Sequence, residues 1–224
     1  MKKKAVFGLV ATLALLLVAG GLYASNMGFK LNYVLDGQGT NLSANGTNTI
    51  SLPFNQQTDL LDANDLIIDI GGTVDVAGVA EFDRTSNGFA GYTGTFGTPF
   101  NLVPGAAYLV QLQQTTPSVN YIIVGSHNPG LVLSFDGQNT NGSANGTNFY
   151  GYPYHSTSTA ADELITELGG TVSIASIGQF DRTSNGFAGY TGTFGSPFPL
   201  EPGKGYLVQL QQSQPSISFV PSHF

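Results

Sequence analysis

Residues 82–97 of this chain read Phe-Asp-Arg-Thr-Ser-Asn-Gly-Phe-Ala-Gly-Tyr-Thr-Gly-Thr-Phe-Gly, and the same letters recur without change at 180–195. Segment 43–48 recurs at 143–148, and segment 108–114 recurs at 206–212. An offset of 98 to 100 residues is too long for a solenoid unit and fits duplication of a whole small domain. The chain therefore divides into repeat one, 25–127, and repeat two, 128–224, each large enough for a small core of its own.

Both repeats present the same order of elements. An alternating apolar run opens each, Phe29 to Leu35 in the first and Leu131 to Phe135 in the second, as expected of half-buried strands. A polar Gly/Asn/Thr loop follows, then a short strand ending in a Pro-aromatic step, Pro53-Phe54 or Pro153-Tyr154. One helix is predicted per repeat: 60–70, stopped by Gly71-Gly72, and 160–168, started by Thr159 with Asp162 three residues on and stopped by Gly169-Gly170. Further strands are predicted near 79–82, 89–93, 107–112 and 119–124, with 217–220 closing the second copy. The expected fold is mainly β: two tandem β-sandwich or barrel-like modules, each carrying one short α-helix, after an N-terminal signal peptide.

The signal peptide is read from Lys2, Lys3 and Lys4, the uncharged apolar run 5–22, and the small residues Ala24 and Ser25 after Gly20-Gly21. The competing reading is an uncleaved anchor, since the apolar run approaches membrane-spanning length. Cleavage after Ala24 leaves Lys30, Arg84, Arg182 and Lys204 against fourteen acids, a net charge of −10. Such a chain repels phosphate backbones and anionic lipid, so neither nucleic acid nor a membrane surface is an expected partner of the mature protein. The absence of cysteine excludes lipoprotein attachment, disulfides and thiolate metal sites. No cofactor is expected.

Two resemblances follow from particular motifs. The strand 50–54 (Ile-Ser-Leu-Pro-Phe), a helix, and then Leu200-Glu201-Pro202-Gly203-Lys204-Gly205-Tyr206-Leu207-Val208 resemble an "SLP…LEPGKGYWV" β module of secreted prokaryotic surface proteins. Repeat one departs from that pattern at Val103-Pro104-Gly105-Ala106-Ala107-Tyr108. The mature chain, from Ser25-Asn26-Met27-Gly28 to Pro221-Ser222-His223-Phe224, is similar to uncharacterised two-repeat secreted proteins of environmental bacteria. The resemblance implies a surface or adhesive part and no reaction.

Four sequons, at Asn41, Asn45, Asn141 and Asn145, fall in matched loops and are candidate glycosylation sites; the competing reading is that Asn-Gly and Ser/Thr form turns. Phe89, Tyr92 and Phe96, with Phe187, Tyr190 and Phe194, form either a stacking platform for sugar rings or one face of a hairpin turning at Asn87-Gly88. Asp83-Arg84 and Asp181-Arg182 read as local charge pairs or backbone caps. An enzyme is not expected: His127, His155 and His223 are present, but no nucleophile-elbow glycine pattern surrounds any Ser, and Glu81 becomes Gln179 in the second copy. Asp62, Asp65, Asp69 and Asp75 match no Ca²⁺ loop and read as helix face or caps.

The junction Ser126-His127-Asn128-Pro129-Gly130 contains no flexible linker, so the repeats should hold a fixed relation. The two chain ends, set end to end, nearly reproduce that junction. The expectation is a secreted extracellular structural protein that assembles with itself head to tail, into a filament or surface layer, through its terminal strands. The candidate contacts are Met27, Phe29, Leu31, Tyr33, Phe219, His223 and Phe224. The alternative is a monomeric carbohydrate-binding or adhesive module with glycans as partner.

Overall fold

The computed structural model describes residues 29–52, 55–56, 60–126, 128, 130–154 and 156–222. Each repeat folds into a mainly β module around a hydrophobic core of its own. In module one, β1 (Phe29–Leu35), β3 (Asn55–Gln56) and β7 (Val119–Ser126) form a three-stranded sheet in the order β1-β7-β3. Opposite it, β2 (Thr47–Ser51), β4 (Val76–Asp83), β5 (Gly88–Tyr92) and β6 (Ala107–Leu112) form an antiparallel sheet ordered β2-β6-β4-β5. Module two repeats that sheet as β11-β10-β12-β9, built from β9 (Thr147–Gly151), β10 (Ile174–Asp181), β11 (Gly186–Tyr190) and β12 (Gly205–Leu210). Among the described residues its other sheet consists of two short strands, β8 (Leu133–Phe135) and β13 (Ile217–Phe219).

The alternation in β1 has the expected result: Leu31, Tyr33 and Leu35 point into the core while Lys30, Asn32 and Val34 face solvent. The predicted strand at 131–135 starts late, at Leu133, because Gly130 follows Pro129 in the sequence and the chain is still in a turn there. Periodicity gave no sign of β3, a two-residue strand added to the end of β7.

The first helix, α1 (Ala63–Ile70), begins three residues beyond the point where its apolar spacing does. Asp62 is its N-cap, accepting from the amides of Asn64 and Asp65, and Asp65 returns the bond in a capping box. Gly71 and Gly72 then end it, the latter at φ 75°, a backbone that favours glycine. The second helix, α2 (Ala161–Glu167), corrects an expectation. Its N-cap is Ala160, which offers no side-chain acceptor, and Thr159 is instead bound through both its amide and its hydroxyl to the Glu163 carboxylate. Among the described residues no helix is long and apolar enough to cross a membrane. The predicted leader lies outside them.

Candidate functional site

The loop after β1 is organised by two short polar side chains. Asn48 on β2 accepts the Asp36 amide at 2.9 Å and donates to the carbonyls of Asp36 and Gly46, which pins both ends of the loop to one strand. Within it, the Ser43 hydroxyl accepts from Gly46 N–H and the Asn45 side chain accepts from Thr47 N–H, as turn-forming Ser and Asn do. The result buries the Asp36 carboxylate to 2% exposure. Asn41 donates to its Oδ1 at 2.7 Å and Ser118 at 3.2 Å. Its Oδ2 pairs with Arg182 of the other module. Module two repeats the arrangement: Asn141 donates to buried Asp136 at 2.7 Å, Ser216 at 3.4 Å, and Arg84 supplies the cation.

Each arginine stands at the tip of the β4–β5 or β10–β11 hairpin. The adjacent acid is its neighbour only in sequence, which corrects the local-pair reading: Asp83 and Asp181 accept from Thr85 and Thr183 amides and cap the turn. Those hydrogen bonds to the charged form hold both carboxyls below the usual range, the Ser86 and Ser184 side chains being the largest cause. The turn spans 84–87, with Asn87 at φ 53° and Gly88 as the first residue of β5. The hairpin backbone also crosses between modules, because Ala44 N–H donates to Arg182 O and Ala144 N–H to Arg84 O, both at 2.9 Å.

The contact is two-fold. Phe89 stacks on its own counterpart Phe187, ring centroids 5.8 Å apart and planes 4° from parallel, and Phe149 meets both rings edge-on. A Cβ placed on Gly205 would stand 2.5 Å from the Cβ of its counterpart Ala107, and one on Gly151 would stand 2.7 Å from the Cβ of its counterpart Ser51. Residues that meet their own copies mark a symmetry axis, and residues off it contact reciprocally: Ser51 N–H donates to Gly203 O, Gly151 N–H to Gly105 O. This is an isologous contact inside one chain. It alters the premise of the head-to-tail expectation. The way repeat one meets repeat two closes on itself and cannot be copied onward by a third module.

The sequence-predicted groups are distributed as follows. The sequon residues Asn41, Asn45, Asn141 and Asn145 all take part in the loop bonds above or their repeats, which accounts for these residue types without a glycan. The proposed platform does not form. Phe89 and Phe187 face the other module, Tyr92 and Tyr190 are buried in the two cores, and Phe96 and Phe194 stand alone, 78% exposed. Of the terminal-strand contacts, Leu31 and Tyr33 are core residues, Phe29 stacks on Tyr154 with centroids 4.8 Å apart, and Phe219 packs on Phe135 and Tyr150. Met27, His223 and Phe224 lie outside the described residues, as do His127 and His155. Asp69 accepts from the Tyr121 hydroxyl at 2.8 Å, and Asp75 from Thr116. Among the described residues no group of three or more His, Asp or Glu side chains is placed to hold a metal ion.

Sequence reasoning missed Asp36 and Asp136. A signal was available: after the leader, the chain's only two arginines and these two aspartates each sit in duplicated contexts, Phe-Asp-Arg-Thr and Asp-Gly-Gln.

Among the described residues, two clefts lie between the modules. The larger, about 430 Å³, lies between Glu81, Phe82, Asn101 and Tyr108 of module one and Leu133 and Phe149 of module two. The smaller, about 160 Å³, contains Gln179, Lys204 and Tyr206 with Thr49 opposite. Desolvation raises the Glu81 carboxyl above its ordinary range, with Asp83 adding to it, and desolvation lowers the Lys204 ammonium. Compared with known proteins, the chain matches no family model, no curated protein and no solved structure.

Proposed function

We propose that the mature chain is an exported, non-catalytic structural protein, a rigid two-module block that joins copies of itself along the outer edge of β1. The observation that carries this reading is the position of β1. It is seven residues long, lies at the end of its sheet with β7 as its hydrogen-bonded neighbour, and has one charged residue, Lys30. A long edge strand with so little charge is a template for pairing with another chain. Rigidity is favoured by the reciprocal Arg–Asp pairs and by the backbone bonds that cross between modules. Because the internal contact is closed, growth proceeds by strand addition at β1 and not by repetition of the junction. Export rests on the leader in the sequence, and the low count of Lys and Arg suits a material exposed to proteases.

The test is negative-stain electron microscopy of residues 25–224 at rising concentration, beside the double substitution Asn32→Lys, Val34→Lys. Both side chains face solvent, so the fold is kept while the edge gains charge. Deleting β1 would be a poor control, since it removes Leu31, Tyr33 and Leu35 from the core. Ordered assemblies from the parent that disappear in the variant are expected. A parent that remains monodisperse at high concentration sinks the reading.

A further inference from the structure

We propose that the larger inter-module cleft is a binding site for a single ring of a neutral sugar. Its volume of about 430 Å³ is within the range of small-molecule pockets. Three polar groups in its wall have hydrogen-bonding capacity to offer. The Tyr108 hydroxyl, on a residue only 2% exposed, accepts from Val103 N–H at 2.7 Å, and among the described residues its proton has no acceptor. Among the described residues the Glu81 carboxylate takes part in no ion pair or hydrogen bond, and neither does the Asn101 side-chain amide. A buried hydroxyl proton with no acceptor is costly unless a ligand or water takes it. One donor, one acceptor and one amide in a single cleft with apolar walls suit the alternating hydroxyls and C–H faces of a pyranose. Phe82, Phe149 and Leu133 supply those walls.

Charge narrows the class. Arg84 borders the cleft, but its guanidinium is held by Asp136, so the remaining formal charge is the carboxylate of Glu81. Anions are disfavoured there and in the field of so acidic a chain.

The second cleft acts as an internal control, because the same positions close it. Leu133 meets Gly105 in the larger cleft, whereas its counterpart Tyr33 brings a phenol against Gly203, with the hydroxyl fixed to Ser51 O at 2.6 Å. Lys204 takes the place of Ala106, Gln179 that of Glu81, Pro199 that of Asn101, and Thr49 that of Phe149. Tyr33, Lys204, Pro199 and Thr49 remove volume, a polar side chain or a ring wall from the smaller site, and Gln179 removes the carboxylate charge.

The test titrates the full mature chain with D-glucose, D-galactose, D-mannose and D-xylose, with D-glucosamine as the cationic comparison, following backbone amide shifts. The expected result is saturable shifts at Gly105, Leu133 and Phe149 with at least one neutral sugar. Leu133→Tyr, which copies the closed site, should abolish them, and Tyr108→Phe should weaken binding about tenfold. Unchanged amide dispersion elsewhere in both variants shows that the fold is intact. The proposal is overturned if no neutral sugar produces saturable shifts, if the shifts map away from the cleft, if glucosamine alone binds, or if Leu133→Tyr binds as well as the parent.

Discussion

The inter-module surface and the outer sheets have diverged by very different amounts from one repeat to the other. At the surface, Asn41 to Asp36 and Asn141 to Asp136 are both 2.7 Å, and the two amide bonds to Arg182 O and Arg84 O are both 2.9 Å. In the outer sheets, β1 pairs with β7 from Phe29–Gly125 through Leu35–Val119, whereas β8 keeps only three partners on β13. The reciprocal Arg–Asp loops and hairpin tips have kept their geometry, whereas residues on and beside the axis differ, as at Ser51 and Gly151, Ala107 and Gly205, and Phe149 and Thr49. The outer sheets also reach the other module, through Phe29 on Tyr154, Tyr33 against Gly203 and Leu133 against Gly105, yet their strand pairing differs in length. The most repetitive stretch packs one module of the chain against the other.

That contrast can be broken in order of expected effect. Asp136→Ala strands Arg84 and empties a buried acceptor cluster, and should cost about 3 kcal/mol in urea unfolding, whereas Asn32→Ala on the outer sheet should cost under about 0.5 kcal/mol. An equal cost for the two would remove the distinction. Gly205→Val drives a side chain into Ala107 on the axis and should cost about 2 kcal/mol, against a near-neutral Gly91→Ala, where nothing lies within 4 Å of the added carbon.

Alkaline pH sharpens the comparison from another side. Burial pushes the Tyr108 phenol up to about 12, and desolvation raises Tyr206 in the same way. The folded state resists ionisation that the unfolded chain undergoes near pH ~10, so stability should fall between those values, with tyrosinate absorbance rising only as the chain unfolds. A gradual, non-cooperative rise starting at the unfolded value would mean that the rings are open to solvent.

The smallest effect is at Glu81. Its carboxyl is raised in the fold, so the protonated form is favoured there and stability declines as pH climbs through the carboxylate range. Glu81→Gln, the residue that the second module carries as Gln179, should remove that decline and gain a few tenths of a kcal/mol near neutral pH in thermal melts. A loss of stability would mean that the carboxylate has a partner in solution.

Much of the fold was legible from the repeat itself, since two noisy copies of one pattern fix element order better than either alone. Strand alternation identified the core face of β1, and paired glycines fixed the ends of both helices. The platform reading failed on arithmetic available at the outset. Phe89 and Tyr92 are three apart on one strand, so they point to opposite faces, one to the neighbouring module and one to the core. The interface was not legible because Asp36 and Arg182 belong to different repeats, and no local period reports a pairing over that separation. Nor does any local signal say that two domains joined without a linker will pack about a two-fold axis and not head to tail.

The central claim, that reciprocal contacts lock the two modules together, is tested most directly by amide hydrogen exchange at Ala44 and Ala144. Both residues sit in solvent-exposed loops, yet each amide donates across the module boundary. The account predicts that these two amides exchange as slowly as the strands beside them, and that in Asp136→Ala the Ala144 amide loses protection before the strands do. Exchange at the rate of an open loop in the parent protein would contradict it.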